Sequence, residues 1–408
     1  MTSGLSDDEL NPVQVARDLG VTSIVTGQYL QEGERLSLTL EAIDVESQTV
    51  VWRRSVAVSA QELISLREEV SGTVERDLLP ALGFSSAEST GTRPTSEAAY
   101  DLYLRSLSAS TEPVPNQEAI DLLEQALELD PAYAPAWSQL SIRNYHHGAY
   151  GGGGDEYYDR SVDAANRALE LDPELTVPAV RRIIVEVERS QLTEAYDAAI
   201  QLVEHRPKDA RAHFVLSYVL RYAGDLDGAV RECDTALSLD PQNPGFRSCG
   251  LANSLAGRYE RALQFLALAE GSTFSIDNSA MVRIRQGRPD EAARLLRQST
   301  GRWEPFIERL EGGTLAEEAA QAMIQGTLPY SDSEQQYWAG ALLAYSGAHA
   351  AAMELLREGV ERGYCSYPLL DSDPALAGLR ADPQFAAELD EIRAAGRACH
   401  ESFLAHVA

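Results

Sequence analysis

The chain has 408 residues, of which 44% are hydrophobic, so it has the composition of a folded protein and the length of two or three units or one extended array. Its 63 acidic and 34 basic residues give a formal net charge of −29, which argues against nucleic acid or an anionic membrane surface as the main partner. A basic partner would suit this charge, although a solvated acidic surface is the simpler explanation.

The N-terminal residues predict a small mixed segment of strands and helices. A short helix is expected at 12–19, strands at 23–30, 35–44 and 49–58, and an amphipathic helix at 60–79. Leu36, Leu38, Leu40 and Ala42 alternate with polar residues, which indicates a sheet with one buried face.

Prolines that end helical patterns recur at a constant interval along the middle of the chain. Pro131, Pro173, Pro207 and Pro241 each follow such a pattern, and the intervals between them are 42, 34 and 34 residues. The longer interval contains a glycine-rich insertion at 148–155, so we predict an underlying period of 34 residues. A proline at this place stops one helix and sets the start of the next unit.

Small side chains recur within each period, where two antiparallel helices must approach each other closely. They form two series, Ala119, Ala195, Ala229 and Ala262, and Ala126, Ala168, Ala236 and Ala269. Together with turn signals at Gly224 and Gly257, this spacing resembles that of tetratricopeptide repeats. The resemblance implies about five units between residues 98 and 271, and a mostly α fold in which an α-solenoid, the tetratricopeptide superhelix, follows a small α/β domain.

Beyond residue 271 the repeat pattern weakens but persists. Turn and second-helix signatures return at Gly287 and Gly347, which predicts two shortened units. The segment from Tyr367 onward is expected to cap the array. We therefore predict three regions, namely a partial α/β domain at 1–90, regular repeats at 91–271, and degenerate helical repeats with a C-terminal cap at 272–408.

The N-terminal segment resembles the second half of the TolB amino-terminal-like domain, through residues 16–21, Thr26, Gly27 and Trp52. In that family the domain often precedes tetratricopeptide repeats in bacterial serine/threonine protein kinases and winged-helix regulators. The family's domain opens with a further strand and helix, for which there is no room before Asn11. The resemblance therefore implies a sheet with an unpaired edge, either in a fragment of a larger protein or in a homodimer that pairs through that edge.

The sequence offers no catalytic constellation, so we expect a non-catalytic protein without a cofactor. The glycine run at 151–154 lacks the Lys-Ser/Thr of a phosphate loop and is expected to be a flexible insertion. His146 and His147 precede Asp155 and Glu156, but adjacent histidines on a helix point apart, so no metal site is predicted. Cys233 and Cys249 fall in consecutive predicted helices and could approach each other, although buried free thiols are preferred for all four cysteines.

The concave groove of the helical superhelix is the predicted binding site for a peptide or protein, because the leading helix of each unit lines it. Projecting these helices gives Ser138, Ile142, Tyr145, Ile184, Arg211, Phe214, Tyr218, Arg221 and Tyr222 as inward-facing candidates. The last five combine aromatic side chains with arginine, which is typical of binding hot spots. Packing of some of these aromatics between units remains the alternative.

The function predicted from these patterns is a protein-interaction scaffold or a sensor and regulatory module. The alternative is a module in which the α/β domain binds a small molecule and the repeats relay the signal. No nucleic acid contact and no membrane insertion are expected. Residues 1–10 contain no apolar run, so no signal peptide is predicted and the location is expected to be cytoplasmic, or extracytoplasmic if an upstream membrane helix carries the chain.

Overall fold

The computed structural model describes Val13, Ala16 and residues 21–59, 61–82, 92–299, 303–329 and 332–407. The helix predicted at 12–19 lies outside the described residues except for Val13 and Ala16, which are helical, and so do residues 17–20 of the TolB-like resemblance. The chain divides into two compact units, which are described separately. Unit 1 comprises residues 1–110, 114–140 and 170–174, and unit 2 comprises residues 111–113, 141–169 and 175–408.

Unit 1 contains a three-stranded antiparallel sheet in the order β1-β2-β3. The strands are β1 (Ser23–Glu32), β2 (Arg35–Asp44) and β3 (Thr49–Ser59), as the sequence predicts to within two residues. Leu38 pairs with Val56, and Ala42 pairs with Trp52. Val56 and Ala42 are buried, whereas Leu38 is half-buried. The face predicted to be buried is therefore less completely buried than the alternation suggests.

Helices follow the sheet in unit 1. The first, α1, packs against β3 and α3, and a wider turn at Val74–Leu78 joins it to α2. Ser96 begins α3 by accepting a hydrogen bond from the Ala99 amide at 3.2 Å. The bounds are α1 (Leu63–Thr73), α2 (Leu79–Ala81), α3 (Glu97–Ser108), α4 (Pro113–Leu129) and α5 (Ala134–Tyr150), and the unit boundary falls inside α5.

The described residues of unit 2 form helices joined by turns and contain no strand. Its first full hairpins use α6 (Gly154–Leu171), α7 (Thr176–Glu188), α8 (Leu192–His205), α9 (Ala210–Ala223) and α10 (Leu226–Leu239). A short turn of helix at Pro244–Ser248 leads into α11 (Cys249–Leu255), α12 (Tyr259–Ala267), α13 (Thr273–Arg285) and α14 (Pro289–Leu296). The chain continues through α15 (Glu304–Leu310), α16 (Glu317–Thr327), α17 (Ser333–Tyr345), α18 (His349–Glu361), α19 (Pro368–Ser372), α20 (Ala377–Arg380) and α21 (Ala386–Val407).

The helices of unit 2 form successive antiparallel hairpins in the manner of tetratricopeptide repeats, which confirms the predicted fold class. Helix α7 pairs with α8, α9 with α10, α11 with α12, α13 with α14, and α17 with α18. The helices α4, α6, α8 and α10 each end two residues before one of the four repeat prolines. The turn glycines Gly224, Gly257, Gly287 and Gly347 all have a positive φ, the left-handed conformation that ends a helix.

The repeated alanines lie where the helices of each hairpin meet. All of the first series and three of the second are buried, with accessibilities of 0–2%, because a larger side chain would separate the paired helices. Ala269 is the exception: it is half-buried, since α12 ends at Ala267 before the second position is reached.

The C-terminal helix returns to the middle of the repeats within unit 2, which the prediction of a terminal cap did not include. Helix α21 packs against α8, α9 and α18. His400 Nδ1 donates to the Ala223 carbonyl at 2.6 Å, and the Phe403 ring meets Tyr196 edge-on at 5.4 Å. Gly224 makes this approach possible, because a Cβ there would lie 2.9 Å from the His400 ring.

Candidate binding surface

The leading helices α5, α7 and α9 share one face within unit 2, which a set of hydrogen bonds identifies. The Glu188 carboxylate at the end of α7 accepts from Tyr145 of α5 at 2.7 Å and from Tyr218 of α9 at 2.9 Å. Tyr158 of α6 donates to its other oxygen at 2.8 Å. We call the side of these helices that carries Tyr145, Glu188 and Tyr218 the inner face. Three predicted repeats therefore contribute to one continuous surface.

One end of the inner face is covered by the chain itself. The Tyr222 hydroxyl donates to Asp332 at 2.6 Å, just before α17 begins. Arg221 pairs with Glu334 of α17 through Nε at 2.7 Å and Nη2 at 2.9 Å, and its Nη1 donates to the Ser248 carbonyl at 3.0 Å. The exposed fraction of Arg221 is only 1%. The C-terminal half of α9 is thus closed off by a later part of unit 2.

Burial shifts the pKa values of the acids in this covered region. Loss of hydration and the charge of the nearby Asp332 raise the pKa of Glu188 to about 7, against the opposing effect of three tyrosine hydroxyls. Burial likewise raises the pKa of Asp332. Burial also raises the pKa values of Tyr145 and Tyr218, with Glu188 contributing, so their hydroxyls stay protonated and donate to that carboxylate.

A second buried ion pair lies deeper in unit 2. Arg285 of α13 contacts both oxygens of Asp373, with Nη2 at 2.9 Å, and Tyr337 of α17 donates to the same carboxylate at 2.9 Å. Burial alone would raise the pKa of Asp373, but the charge and hydrogen bonds of Arg285 outweigh it and lower the pKa. A pocket lined by Arg285, Glu334 and Trp338 adjoins this pair and is wide enough for about one water molecule.

The predicted site residues are distributed unevenly between covered and open positions. Tyr145, Ile184, Tyr218, Arg221 and Tyr222 are buried in contacts within unit 2, and Ile142 is half-buried. Arg211 is exposed, and the half-buried Phe214 stacks on Phe246 at 5.3 Å. Ser138 is buried on the part of α5 that belongs to unit 1. The structure therefore assembles most of the predicted set, and leaves the N-terminal end of α9 open.

The buried acids of the inner face were not predicted from the sequence. Val180, Ile184 and Glu188 recur every four residues along α7, so a single carboxylate interrupts an otherwise apolar stripe. That interruption is the signal that could have revealed Glu188. Asp332 and Glu334 carry no comparable local signal, because their partners Tyr222 and Arg221 lie more than 100 residues earlier in the chain.

The prediction of buried free thiols is wrong, because the structure pairs all four cysteines. Cys233 bonds to Cys249 with Cα atoms 5.7 Å apart, and Cys365 bonds to Cys399 with Cα atoms 5.2 Å apart. The first bridge joins α10 to α11, as the proximity of the two helices allows. The second bridge fixes α21 to the segment that follows α18.

The described residues contain no group of three or more His, Cys, Asp or Glu side chains placed to hold a metal ion. Gly152 and Gly154 at the start of α6 have positive φ values, which agrees with an insertion between helices. No helix in the described part of the chain combines the length and apolar character that crossing a bilayer requires.

Comparison with solved structures gives similarities of low identity. The yeast Tom70 structure is 12% identical over 80% of this chain and 78% of its own, with a TM-score of 0.41. TTC0263, a tetratricopeptide repeat protein of Thermus thermophilus, is 22% identical over 40% of this chain and 91% of its own, with a TM-score of 0.35. PilF of Pseudomonas aeruginosa is 19% identical over 55% of this chain and 97% of its own, with a TM-score of 0.37. At these TM-scores the similarities carry no conclusion about function.

A comparison with curated proteins finds no significant match. A comparison with protein families finds one for the middle of the chain, where a tetratricopeptide repeat model matches residues 181–244. This segment contains α8, α9 and α10 together with most of α7, and includes the turn glycine and both repeat prolines of the most regular hairpins. The repeats predicted from the proline and alanine spacing are thus confirmed as tetratricopeptide repeats over residues 181–244.

Proposed function

We propose that this protein is a non-catalytic interaction module, which binds a protein or peptide along the inner face of its leading helices. The observation that supports this most directly is the shared contact of Tyr145, Glu188 and Tyr218. Through this contact, three successive leading helices present side chains to one surface. Surfaces built from repeated helical pairs in this way suit extended partners, because each unit adds another strip of contact.

The open part of the inner face is where we expect the partner to lie. Arg211 is exposed and Phe214 is half-buried, so both are available at the N-terminal end of α9. Tyr218, Arg221 and Tyr222 lie in the closed C-terminal half of α9, where their polar groups are already bonded to Glu188, Glu334 and Asp332. Of the predicted set, we therefore assign direct contact with a partner to Arg211, Phe214 and Ile142.

Site-specific photocrosslinking tests this proposal. A benzophenone amino acid in place of Phe214 is expected to crosslink one major partner in cells, because that side chain lies on the open inner face. The matched control carries the same group in place of Leu239, which is 40% exposed on the trailing helix α10. Equal crosslinking of the same partner from both positions, or crosslinking from Leu239 alone, would contradict the proposal.

The paired cysteines bear on where the protein works. Disulfides persist in oxidising compartments and are rare in the cytoplasm, so they favour the extracytoplasmic alternative over the cytoplasmic prediction. We propose this location for the chain. Alkylation of free thiols in intact cells, followed by mass spectrometry, is expected to leave all four cysteines unlabelled. Complete labelling of Cys399, which is half-buried, would contradict the proposed extracytoplasmic location.

The regulatory role implied by the TolB-like resemblance stays a prediction. So do the upstream kinase or winged-helix domain, the pairing of two copies through an edge of the N-terminal sheet, and small-molecule sensing. A thermal-shift screen of the full chain against metabolites tests the sensing role. We expect that no compound raises the melting temperature by binding to the N-terminal sheet. A stabilising compound whose effect is lost on substitution of sheet residues would favour sensing over the interaction module.

A further inference from the structure

The inner face and the adjoining turn at Pro244–Ser248 contain arginines that lack the carboxylate partners common elsewhere in unit 2. In a protein with 63 acidic residues, Arg182, Arg189 and Arg261 all form ion pairs. Within the described residues, Arg181 of α7 and Arg247 before α11 form none. The Nε of Arg181 is buried without a hydrogen-bond partner, and the Nη1 of Arg247 has only the Pro244 carbonyl at 3.4 Å.

Aromatic rings hold both guanidinium groups in place. Arg181 lies over the Tyr145 ring at 4.0 Å, and Arg247 lies over the Phe274 ring at 5.1 Å. From Tyr145 the contacts continue to His146 at 5.5 Å and from there to the exposed Tyr150 at 6.0 Å. These arginines are therefore ordered by stacking, while the hydrogen-bonding capacity of their planar groups remains largely unused.

The turn that carries Arg247 lies against the inner face of α9, because Phe246 stacks on Phe214 at 5.3 Å and the Ser248 carbonyl accepts from Arg221 at 3.0 Å. Burial, together with the charges of Arg181, Arg247 and Arg143, lowers the pKa of His146 to about 3. His146 is therefore neutral at physiological pH, and positive charge from three guanidinium groups converges around it. The Glu188 carboxylate, which accepts from the Tyr145 hydroxyl, is already bonded to two further tyrosine hydroxyls.

We propose that this cationic surface binds an acidic peptide segment of a partner protein. Its members are Arg143, His146, Tyr150, Arg181, Arg247 and Phe274. Carboxylates of the peptide pair with Arg181 and Arg247, and neighbouring side chains pack on Tyr150 and Phe274. This inference rests on the proposed function, because it assigns a partner chemistry to the same inner face.

The net charge of the whole molecule favours a short acidic peptide over a long polyanion as the ligand of this surface. The net charge of −29 repels nucleic acid and anionic lipid surfaces, whose charge extends far beyond a local patch. A short segment with two or three carboxylates experiences mainly the local positive charge, because ionic strength screens charges more than about 10 Å away. Aromatic side chains beside the guanidiniums also provide apolar contact that inorganic phosphate cannot use.

Selection from a displayed random peptide library on the full chain tests the proposal. Enriched peptides are expected to be rich in Asp and Glu, and to bind the double variant Arg181→Gln, Arg247→Gln about tenfold or more weakly, since charged hydrogen bonds are lost. The matched control is Arg182→Gln, Arg258→Gln, in which both replaced residues form ordinary ion pairs, and which should bind as the native protein does. Raising the salt concentration is expected to weaken binding to the native protein.

The outcomes separate this inference from the proposed function. Suppose instead that the enriched peptides are neutral or basic, that Phe214→Ala weakens their binding, and that Arg181→Gln, Arg247→Gln leaves it unchanged. This result would overturn the acidic partner but agree with the proposed interaction module. Displacement of the enriched peptides by millimolar inorganic phosphate would likewise overturn the peptide assignment. The absence of any enriched peptide would count against both. Circular dichroism of each variant shows that a loss of binding is not a loss of fold.

Discussion

Arg221 and Arg181 lie on the inner face of two successive leading helices, yet the chain treats them in opposite ways. Arg221 is buried, and the chain supplies its partner in Glu334, with both nitrogen–oxygen distances below 3 Å. Arg181 is half-buried and stacks on Tyr145, but the described residues supply no carboxylate for it. The same residue type on one face thus has two environments.

The difference distinguishes two ends of the inner face. The closed end, around Arg221, is covered by the chain itself, and the available end, around Arg181, can contact another molecule. Burying a guanidinium is favourable only when a carboxylate and other acceptors compensate for its lost hydration, and Arg221 has both. The buried pair of Arg221 and Glu334 is therefore part of what holds unit 2 together. Arg181 keeps a charge that no described neighbour compensates, which is the condition for a charge that acts on another molecule.

Replacing Arg221 with methionine is expected to have the largest effect on stability. It leaves Glu334 buried without its cation, and breaking a buried pair in this way typically costs about 3–5 kcal/mol. The free energy of unfolding from urea titration measures the change. Arg181→Met, at the available end, should cost no more than about 1 kcal/mol.

The double variant Arg221→Met, Glu334→Met sharpens this test. Removing both charges leaves neither member of the pair uncompensated, so most of the lost stability should return. Should Arg221→Met alone leave the urea midpoint unchanged, the closed end of the inner face would not be closed by this pair.

Removing the bridge between Cys365 and Cys399 is expected to cost about 2–4 kcal/mol, because the bridge restricts the unfolded chain over a separation of 34 residues. The variant Cys365→Ala, Cys399→Ala also frees α21, which packs on α8 and α9 at the closed end. Calorimetry measures the fall in Tm. An unchanged Tm, with the bridge shown to be intact in the native protein, would contradict its role in holding α21.

Substitution of Glu188 by glutamine should reduce the pH dependence of stability. The pKa of Glu188 is raised to about 7 in the folded protein, so folding favours its protonated form. Its contribution is complete at pH values below the ordinary glutamate pKa and is lost as the pH rises through about 7. In Glu188→Gln, the stability lost between pH 5 and pH 8 should shrink by roughly 2–3 kcal/mol.

Urea titrations at several pH values test this expectation. Asp332 has a raised pKa for the same reason, so some loss of stability with rising pH is expected to remain in the variant. Identical pH profiles for the native protein and Glu188→Gln would show that Glu188 is not buried as an acid.

The sequence predicts the hairpins well because their determinants are local. Pro207 and Pro241 stop their helices, Gly224 supplies the left-handed turn, and Ala195 and Ala229 set the helix separation. Each acts within a few residues of its own position. The strands were predicted equally well, since alternation and turn residues are also local.

The candidate site was predicted only in part, because its chemistry depends on distant residues. The spacing of Arg211, Phe214, Tyr218 and Arg221 along one helix shows that they share a face, but not what covers it. Glu334 is 113 residues from Arg221, and no pattern in the sequence indicates that they pair. For the same reason the pairing of Cys365 with Cys399 could not be deduced from spacing.

Selective modification of arginines by phenylglyoxal, read out by mass spectrometry of the native full-length protein, tests the division of the inner face most directly. Rapid modification of Arg211, Arg181 and Arg247 is expected, together with protection of the buried Arg221 and Arg285 until the protein unfolds. Modification of Arg221 at the rate found for Arg211 would show that both ends of the inner face are open, and would contradict the account.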